Sequence, residues 1–189
     1  MTFIKPDSGL IFMKVGVHDG EPFEEILKRK RQEIEKAGVS FWGYGGGTCH
    51  PTHQVQPFAK LKIEEGSNIY LIMEEIHSNH QATSKVASHY SRNGIDWEPI
   101  PDGIEVRGSR YAIVLDEIQD GDLDIDLNSY TVGYGKSRGK IAADYIKGRV
   151  DKACIERMGA QASIKPIPKS LRKATHFGQI VDPYAVFVK

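Results

Sequence analysis

The chain is poor in cysteine, with two in 189 residues, and it contains no long apolar run. Two cysteines cannot form a disulfide framework, so the sequence predicts a reducing compartment. No apolar run approaches the roughly 20 residues of a membrane-spanning helix. The opening MTFIKPDSGL lacks the basic start and apolar core of a secretory signal. We therefore expect a cytoplasmic protein that does not enter a membrane.

The chain also lacks net charge, because 25 Lys and Arg balance 25 Asp and Glu. The charges are unevenly spread, however: residues 130–173 contain eleven basic and three acidic residues and carry +8. Such asymmetry is typical of a protein with an anionic partner. Packing of the acidic part of the chain against the basic part would explain it as well. A net charge of zero argues against a long polyanion such as duplex DNA and favours a nucleotide or a short single strand.

Composition and hydrophobic periodicity together indicate a fold class. With 40% hydrophobic and 26% charged residues, the chain is ordinary for one globular domain, residues 1–189, in which 158–173 form a basic, proline-containing linker or surface segment. Apolar and β-branched runs predict strands at residues 10–17, 39–44, 68–76, 110–118 and 122–127, with shorter ones at 96–100, 104–106, 130–134 and 184–188.

Helical spacing predicts an early amphipathic helix over 22–37, ended by Gly38, and a late helix over 139–158. A further short helix is predicted to begin at Pro51, and Pro57 should kink or end it. Because only the first strand–helix–strand unit resembles a βαβ, we predict an α+β fold. Its sheet should be bent and largely antiparallel, and a barrel-like closure is left open.

The most unusual stretch is residues 42–53, WGYGGGTCHPTH, which interleaves glycines with aromatic residues. Glycines let backbone N–H groups approach a ligand, and a helix that starts at Pro51 would aim its positive end at the preceding residues. This pattern predicts an anion site with stacking rings beside it. Its candidate binding residues are Trp42, Tyr44, Gly45, Gly46, Gly47 and Thr48.

The same stretch admits two other interpretations. A helix N-terminus lowers the pKa of a cysteine, so Cys49 could be a nucleophile, with His50 or His53 as its base. Alternatively, the glycines form a tight corner around a buried cysteine. The stretch matches neither a Walker loop nor a dinucleotide-binding GxGxxG loop, and it is not a Gly-x-Ser-x-Gly elbow.

Histidines raise the question of a metal. Six of the seven fall in the first half of the chain, at positions 18, 50, 53, 77, 80 and 89. The sequence has no CxxC pair and no HExxH, and the acidic run at 116–126 fails the calcium-loop template. We expect surface or hydrogen-bonding histidines, no metal site and no cofactor.

A basic loop at residues 133–140, GYGKSRGK, supplies a second candidate surface. Its cations Lys136, Arg138 and Lys140 could meet phosphates, unless the loop is merely solvated. The leading hypothesis is therefore a binding domain for a phosphate-bearing small molecule or short nucleic acid. A cysteine-dependent hydrolase or transferase is the first alternative, and a protein–protein adaptor is the second. The sequence leaves the oligomeric state open.

Overall fold

One mixed sheet of ten strands organises the residues that this computed structural model describes, namely 4–45, 50–80, 85–159 and 170–189. The strands are β1 (Gly9–His18), β2 (Ser40–Gly43), β3 (Ile69–His80), β4 (His89–Ser91), β5 (Glu98–Pro99), β6 (Tyr111–Leu115), β7 (Gln119–Asp126), β8 (Tyr130–Val132), β9 (Lys152–Arg157) and β10 (Leu171–Val188). The main path runs β2-β6-β10-β3-β1-β9-β8. Strands β4 and β7 pair with β10 beside this path, and β5 pairs with β4.

The pairing confirms the predicted fold class. Strands β1 and β3 run parallel, and the other pairs of described strands are antiparallel. The chain is thus an α+β protein with one large, mainly antiparallel sheet in a single domain, and the sheet is not closed into a barrel. Most of the predicted linker at 158–173 lies outside the described residues.

Within the described ranges, three α-helices accompany the sheet: α1 (Phe23–Ala37), α2 (Gln56–Glu64) and α3 (Ala142–Tyr145). The early helix is confirmed, and Gly38 ends it in the left-handed region at φ 80°. No helix in the described part of the chain is long and apolar enough to cross a membrane.

The predicted late helix over 139–158 is wrong beyond its first turn. Helix α3 has four residues, and the chain then enters β9, which pairs antiparallel with β1. Cys154 packs into the core on one face of the sheet, while Ala153 and Ile155 pack on the other. The short apolar residues satisfy helical spacing, but pairing with a buried strand decides the structure.

The prediction at Pro57 is also wrong. A π-helical turn does begin at Pro51, as expected, and spans Pro51–Val55. It continues directly into α2, in which Pro57 occupies the first turn. A proline there has no N–H to lose, so Pro57 begins this helix rather than ending it.

Helix α1 is fastened to the sheet by a buried ion pair that also binds backbone. The Lys30 ammonium lies 2.9 Å from a Glu33 carboxylate oxygen, and both side chains are almost fully buried. Lys30 donates to the carbonyl oxygens of Phe41 (2.6 Å) and Glu105 (2.7 Å). Glu33 accepts from the backbone N–H groups of the same two residues, at 3.4 and 3.1 Å. The pair therefore stands between strand β2 and the segment 104–107 and satisfies the backbone of both, as a neighbouring strand would.

Burial of this pair makes each charge depend on the other. Burial lowers the pKa of Lys30 to about 8, while the Glu33 carboxylate acts in the opposite direction. A charge left alone in such a place is costly, because the interior solvates it poorly.

We predict that Glu33→Gln destabilises the fold by about 3 kcal/mol, the cost typical of breaking a buried ion pair from one side. The amide cannot neutralise Lys30, and its NH₂ group would face other donors. The measurement is the free energy of unfolding in urea. Glu35→Gln, at an exposed position on the same helix, serves as the control and should change it by less than about 0.5 kcal/mol. Equal, small effects from both variants would contradict this account.

Candidate functional site

A cavity of about 660 Å³ lies among α1, the ends of β1 and β2, and the segments 105–110 and 149–152. Its lining is strongly basic, although the whole chain has no net charge. Seven Lys and Arg residues line it against two acidic residues: Lys14, Arg29, Lys30, Arg107, Arg110, Arg149 and Lys152 against Glu105 and Asp151. A concave site with one excess sign of charge concentrates ions of the opposite sign.

Most of these cations already have protein partners. Arg29 forms two hydrogen bonds with Glu21, at 2.9 and 2.6 Å, and a third with the Glu105 carbonyl. The Lys14 ammonium donates to the Val150 carbonyl at 3.1 Å, and burial lowers its pKa. These groups shape the walls of the cavity and hold its segments together.

Lys152, like Lys30, is a buried cation of the cavity wall. Its side chain is 8% exposed, and its ammonium pairs with Asp151 at 2.8 Å. The same ammonium lies 5.3 Å from the centre of the Tyr44 ring, within range of a cation–π interaction. Lys152 thus links strand β9 to the residue that follows β2.

Two arginines of the lining differ from the others. Arg110 and Arg149 are exposed, and neither side chain forms a hydrogen bond or an ion pair with any residue that the structure describes. Arg107, by contrast, pairs with Glu105. Arg110 and Arg149 are therefore the guanidinium groups of this cavity that are available to an added anion.

A β-bulge shapes one wall. The register between β1 and β3 shifts between Val15 and Val17, which places Gly16 at the irregularity. A Cβ on Gly16 would lie 2.6 Å from the Ser78 carbonyl oxygen. Only glycine fits this close approach, because a Cβ would collide with both the side chain and the backbone of Ser78.

Of the residues predicted from the aromatic and glycine pattern, some line the cavity and others lie outside the described residues. Trp42 and Gly45 do line the cavity. Trp42 is only 2% exposed and packs edge-on against Phe23, and Tyr44 is fully buried beneath Lys152. Stacking of a base on either ring stays an untested prediction, and little of either ring is exposed for it. The predicted residues Gly46, Gly47, Thr48 and Cys49 lie outside the described residues.

The predicted basic loop does not line this cavity. Lys136, Arg138 and Lys140 are exposed. The start of their loop packs near the segment after the glycines: a Cβ on Gly135, which has φ +83°, would lie 3.3 Å from the Gln54 side chain. The structure therefore brings the loop beside the helical turn at Pro51–Val55 but leaves its three cations apart from the seven of the cavity.

His50 and His53 form a small cluster at the start of that turn. The His50 Nε2 atom lies 2.6 Å from the Tyr111 hydroxyl, and its Nδ1 atom lies 3.0 Å from the Thr52 hydroxyl. The His53 ring centre is 4.6 Å from that of His50. In the described part of the chain, no three His, Cys, Asp or Glu side chains are grouped so that they could hold a metal ion.

Sequence reasoning missed one of the segments that line the cavity, residues 107–110. Arg107, Gly108, Ser109 and Arg110 precede the strong strand β6, and all four line the cavity. The sequence signal for this segment is a pair of arginines that flank Gly-Ser. Their position depends on Lys30 and Glu33, which hold the neighbouring Glu105 backbone from a helix more than 70 residues earlier.

Comparison with known proteins gives no family assignment. No family model matches the chain, and neither a curated protein nor a solved structure matches it. The functional argument therefore depends on the site itself.

We predict that the pKa of His50 lies below the usual value for a histidine side chain. Burial lowers its pKa, and repulsion from His53 lowers it further. Because the folded state takes up the His50 proton at a lower pH than the unfolded chain, acidification through this range should reduce stability. His53→Gln should raise the titration midpoint of His50, measured by NMR of its ring protons. An unchanged midpoint in this variant would contradict the proposed coupling.

Proposed function

We propose that this protein binds a phosphate-bearing ligand of the nucleotide class in the basic cavity, with Arg110 and Arg149 contacting the phosphate. The observation that carries the proposal is the excess of seven Lys and Arg over two acids in one concave site. Two of those cations have no partner among the described residues. Guanidinium groups suit phosphate because their planar donors can form two parallel hydrogen bonds to it.

The remaining lining supports a ligand that is more than an inorganic anion. The cavity volume of about 660 Å³ lies within the range of small-molecule sites. Met13, Val15 and Ile26 provide apolar surface opposite the charged groups. A nucleotide presents this combination, since its phosphate is charged and its base has apolar faces.

The two alternatives receive less support. Catalysis by Cys49 needs a free base, but both ring nitrogens of His50 lie within hydrogen-bond distance of hydroxyl groups. His53 is exposed and remains a candidate base. The adaptor hypothesis predicts charged faces, whereas the basic residues described above surround a cavity. Binding of a small phosphate ligand accounts for that concave arrangement more directly.

We predict that Arg110→Gln combined with Arg149→Gln weakens binding of ATP and of pyrophosphate at least tenfold, because each charge-assisted bond is worth about 1.5–3 kcal/mol. Isothermal titration calorimetry gives the affinity. The salt dependence of binding should also become shallower, since fewer cations meet the ligand. Both side chains are exposed, so the fold should survive the change.

Two control variants locate the effect. Lys28→Gln with Lys60→Gln removes two exposed charges from helices without lining the cavity, and it should leave the affinity unchanged. Lys136→Gln, Arg138→Gln and Lys140→Gln together test the basic loop. If the loop variant alone loses affinity, phosphate binds at the loop and the cavity proposal is wrong. If all three variants lose affinity alike, only overall charge matters.

Cys49→Ser separates binding from cysteine catalysis. We expect the serine variant to bind ATP as the unchanged protein does, because the proposed contacts come from Arg110 and Arg149. Labelling with iodoacetamide, followed by peptide mass spectrometry, measures the reactivity of Cys49 against the buried Cys154. Rapid labelling confined to Cys49, together with loss of a turnover in Cys49→Ser, would favour the enzyme hypothesis instead.

A further inference from the structure

A second cavity, of about 460 Å³, adjoins the first. Gly108, Ser109 and Arg110 line both, so these three residues form the wall between them. Arg110 is exposed and has no ion pair in the described part of the chain. Its guanidinium is thus placed between two sites, where a group bound in either one could meet it.

The second cavity differs from the first in being aromatic. Trp97, Tyr111 and Phe187 line it, and the rings of Tyr111 and Phe187 lie 5.4 Å apart between centres. The Lys189 ammonium sits 3.9 Å above the centre of the Trp97 ring. That contact is a cation–π interaction, and it covers one face of Trp97.

The position of Trp97 is fixed by a hydrogen-bonded turn before it. The Asn93 side-chain oxygen accepts from the backbone N–H groups of Ile95 and Asp96, both at 2.9 Å. The Ser91 hydroxyl accepts from the Gly94 N–H at 2.9 Å. These bonds order the backbone just before Trp97, and an ordered segment costs less entropy when a ligand binds beside it.

Tyr111 is fixed from the opposite side. His50 lies 2.6 Å from its hydroxyl, and the two rings meet edge-to-face with centres 4.5 Å apart. The hydroxyl is therefore engaged, and the ring remains as the surface offered to the cavity. His50 acts here as a positioning residue for an aromatic wall.

The charged side chains that line the second cavity, among the described residues, are all basic. Lys85, Arg110 and Lys189 line it, and no Asp or Glu does so among the residues that the structure describes. Aromatic rings interleaved with cations, and without carboxylates, are typical of surfaces that bind single-stranded nucleic acid. A base stacks on the rings while the cations meet its backbone.

We propose that the second cavity takes the base of a nucleotide adjacent to the one whose phosphate occupies the first, so that the ligand is a single-stranded oligonucleotide. This inference rests on the proposed function of the first cavity. Arg110, in the shared wall, contacts the phosphate that joins the two nucleotides. A duplex is disfavoured, because its bases are already stacked on one another and are not free to enter a pocket.

The test compares AMP with a single-stranded RNA hexanucleotide of mixed sequence. Fluorescence anisotropy of the 5′-fluorescein hexamer and calorimetry with AMP give the two affinities. We expect the hexamer to bind at least tenfold more tightly than AMP. Trp97→Leu should weaken hexamer binding about 5- to 100-fold, since stacking on one ring is worth about 1–3 kcal/mol, and should leave AMP unchanged. Trp97→Phe is the matched variant, and it should retain most of the affinity because a ring remains.

Arg149→Gln, which alters only the first cavity, keeps the two proposals distinguishable. It should weaken binding of both AMP and the hexamer. If it does so while Trp97→Leu leaves the hexamer unaffected, the second cavity is not a base site and the proposed function stands. If Arg149→Gln changes neither affinity, the proposed function fails. A twelve-base-pair RNA duplex that binds as tightly as the hexamer would also overturn the inference. Thermal unfolding of each variant verifies that it is folded.

Discussion

The buried pair of Lys30 and Glu33 is the interaction on which the site depends. Strand β2 lies at one end of the sheet path, so part of its backbone has no strand partner on that side. Lys30 and Glu33 satisfy the N–H and carbonyl groups of Phe41 there, and they hold the backbone of Glu105 in the same way. The segment that carries Arg107 and Arg110 is thereby fixed against helix α1. Because the pair is buried, this fastening is specific: either charge alone would be destabilising, and together they fix one arrangement.

Electrostatics at the cavity is local rather than global. The chain as a whole is neutral, and most cations around the cavity are already engaged with carboxylates or carbonyls, as Arg29 and Lys152 are. Because these carboxylates and carbonyls offset the positive charges, several cations can line one cavity without strongly repelling one another. The attraction for an anion then comes mainly from Arg110 and Arg149. The binding of a short phosphate ligand that we propose would depend on the focused field of this one cavity, without the broad basic face that long nucleic acids require.

The sequence predicts the elements whose signal is local. Strands β1, β3 and β6 and helix α1 follow from apolar runs and helical spacing, and the half-buried alternation of β7 does too. It mispredicts 139–158, because Ala142, Ile146, Val150 and Ala153 follow helical spacing, whereas pairing with β1 makes residues 152–157 a strand. For the site, the sequence points to Trp42 and Gly45 at the cavity but not to Arg110 or Arg149. These two arginines line one cavity because of the order of the strands in the sheet. Local hydrophobic periodicity does not determine that order.

Two residues of the glycine-rich stretch lie beside the two cavities. Gly45 lines the first cavity, and His50, five residues later, contacts the Tyr111 ring that lines the second. The backbone N–H of Tyr44 also donates to the Tyr111 carbonyl at 2.8 Å, which anchors the start of the stretch to strand β6. Gly45 and His50 therefore lie beside different cavities, while residues 108–110 line both. A ligand that occupies both would contact groups tied to the same strand, β6, so binding in one cavity would favour the geometry of the other. That shared anchor is the physical reason for treating the two cavities as parts of one site.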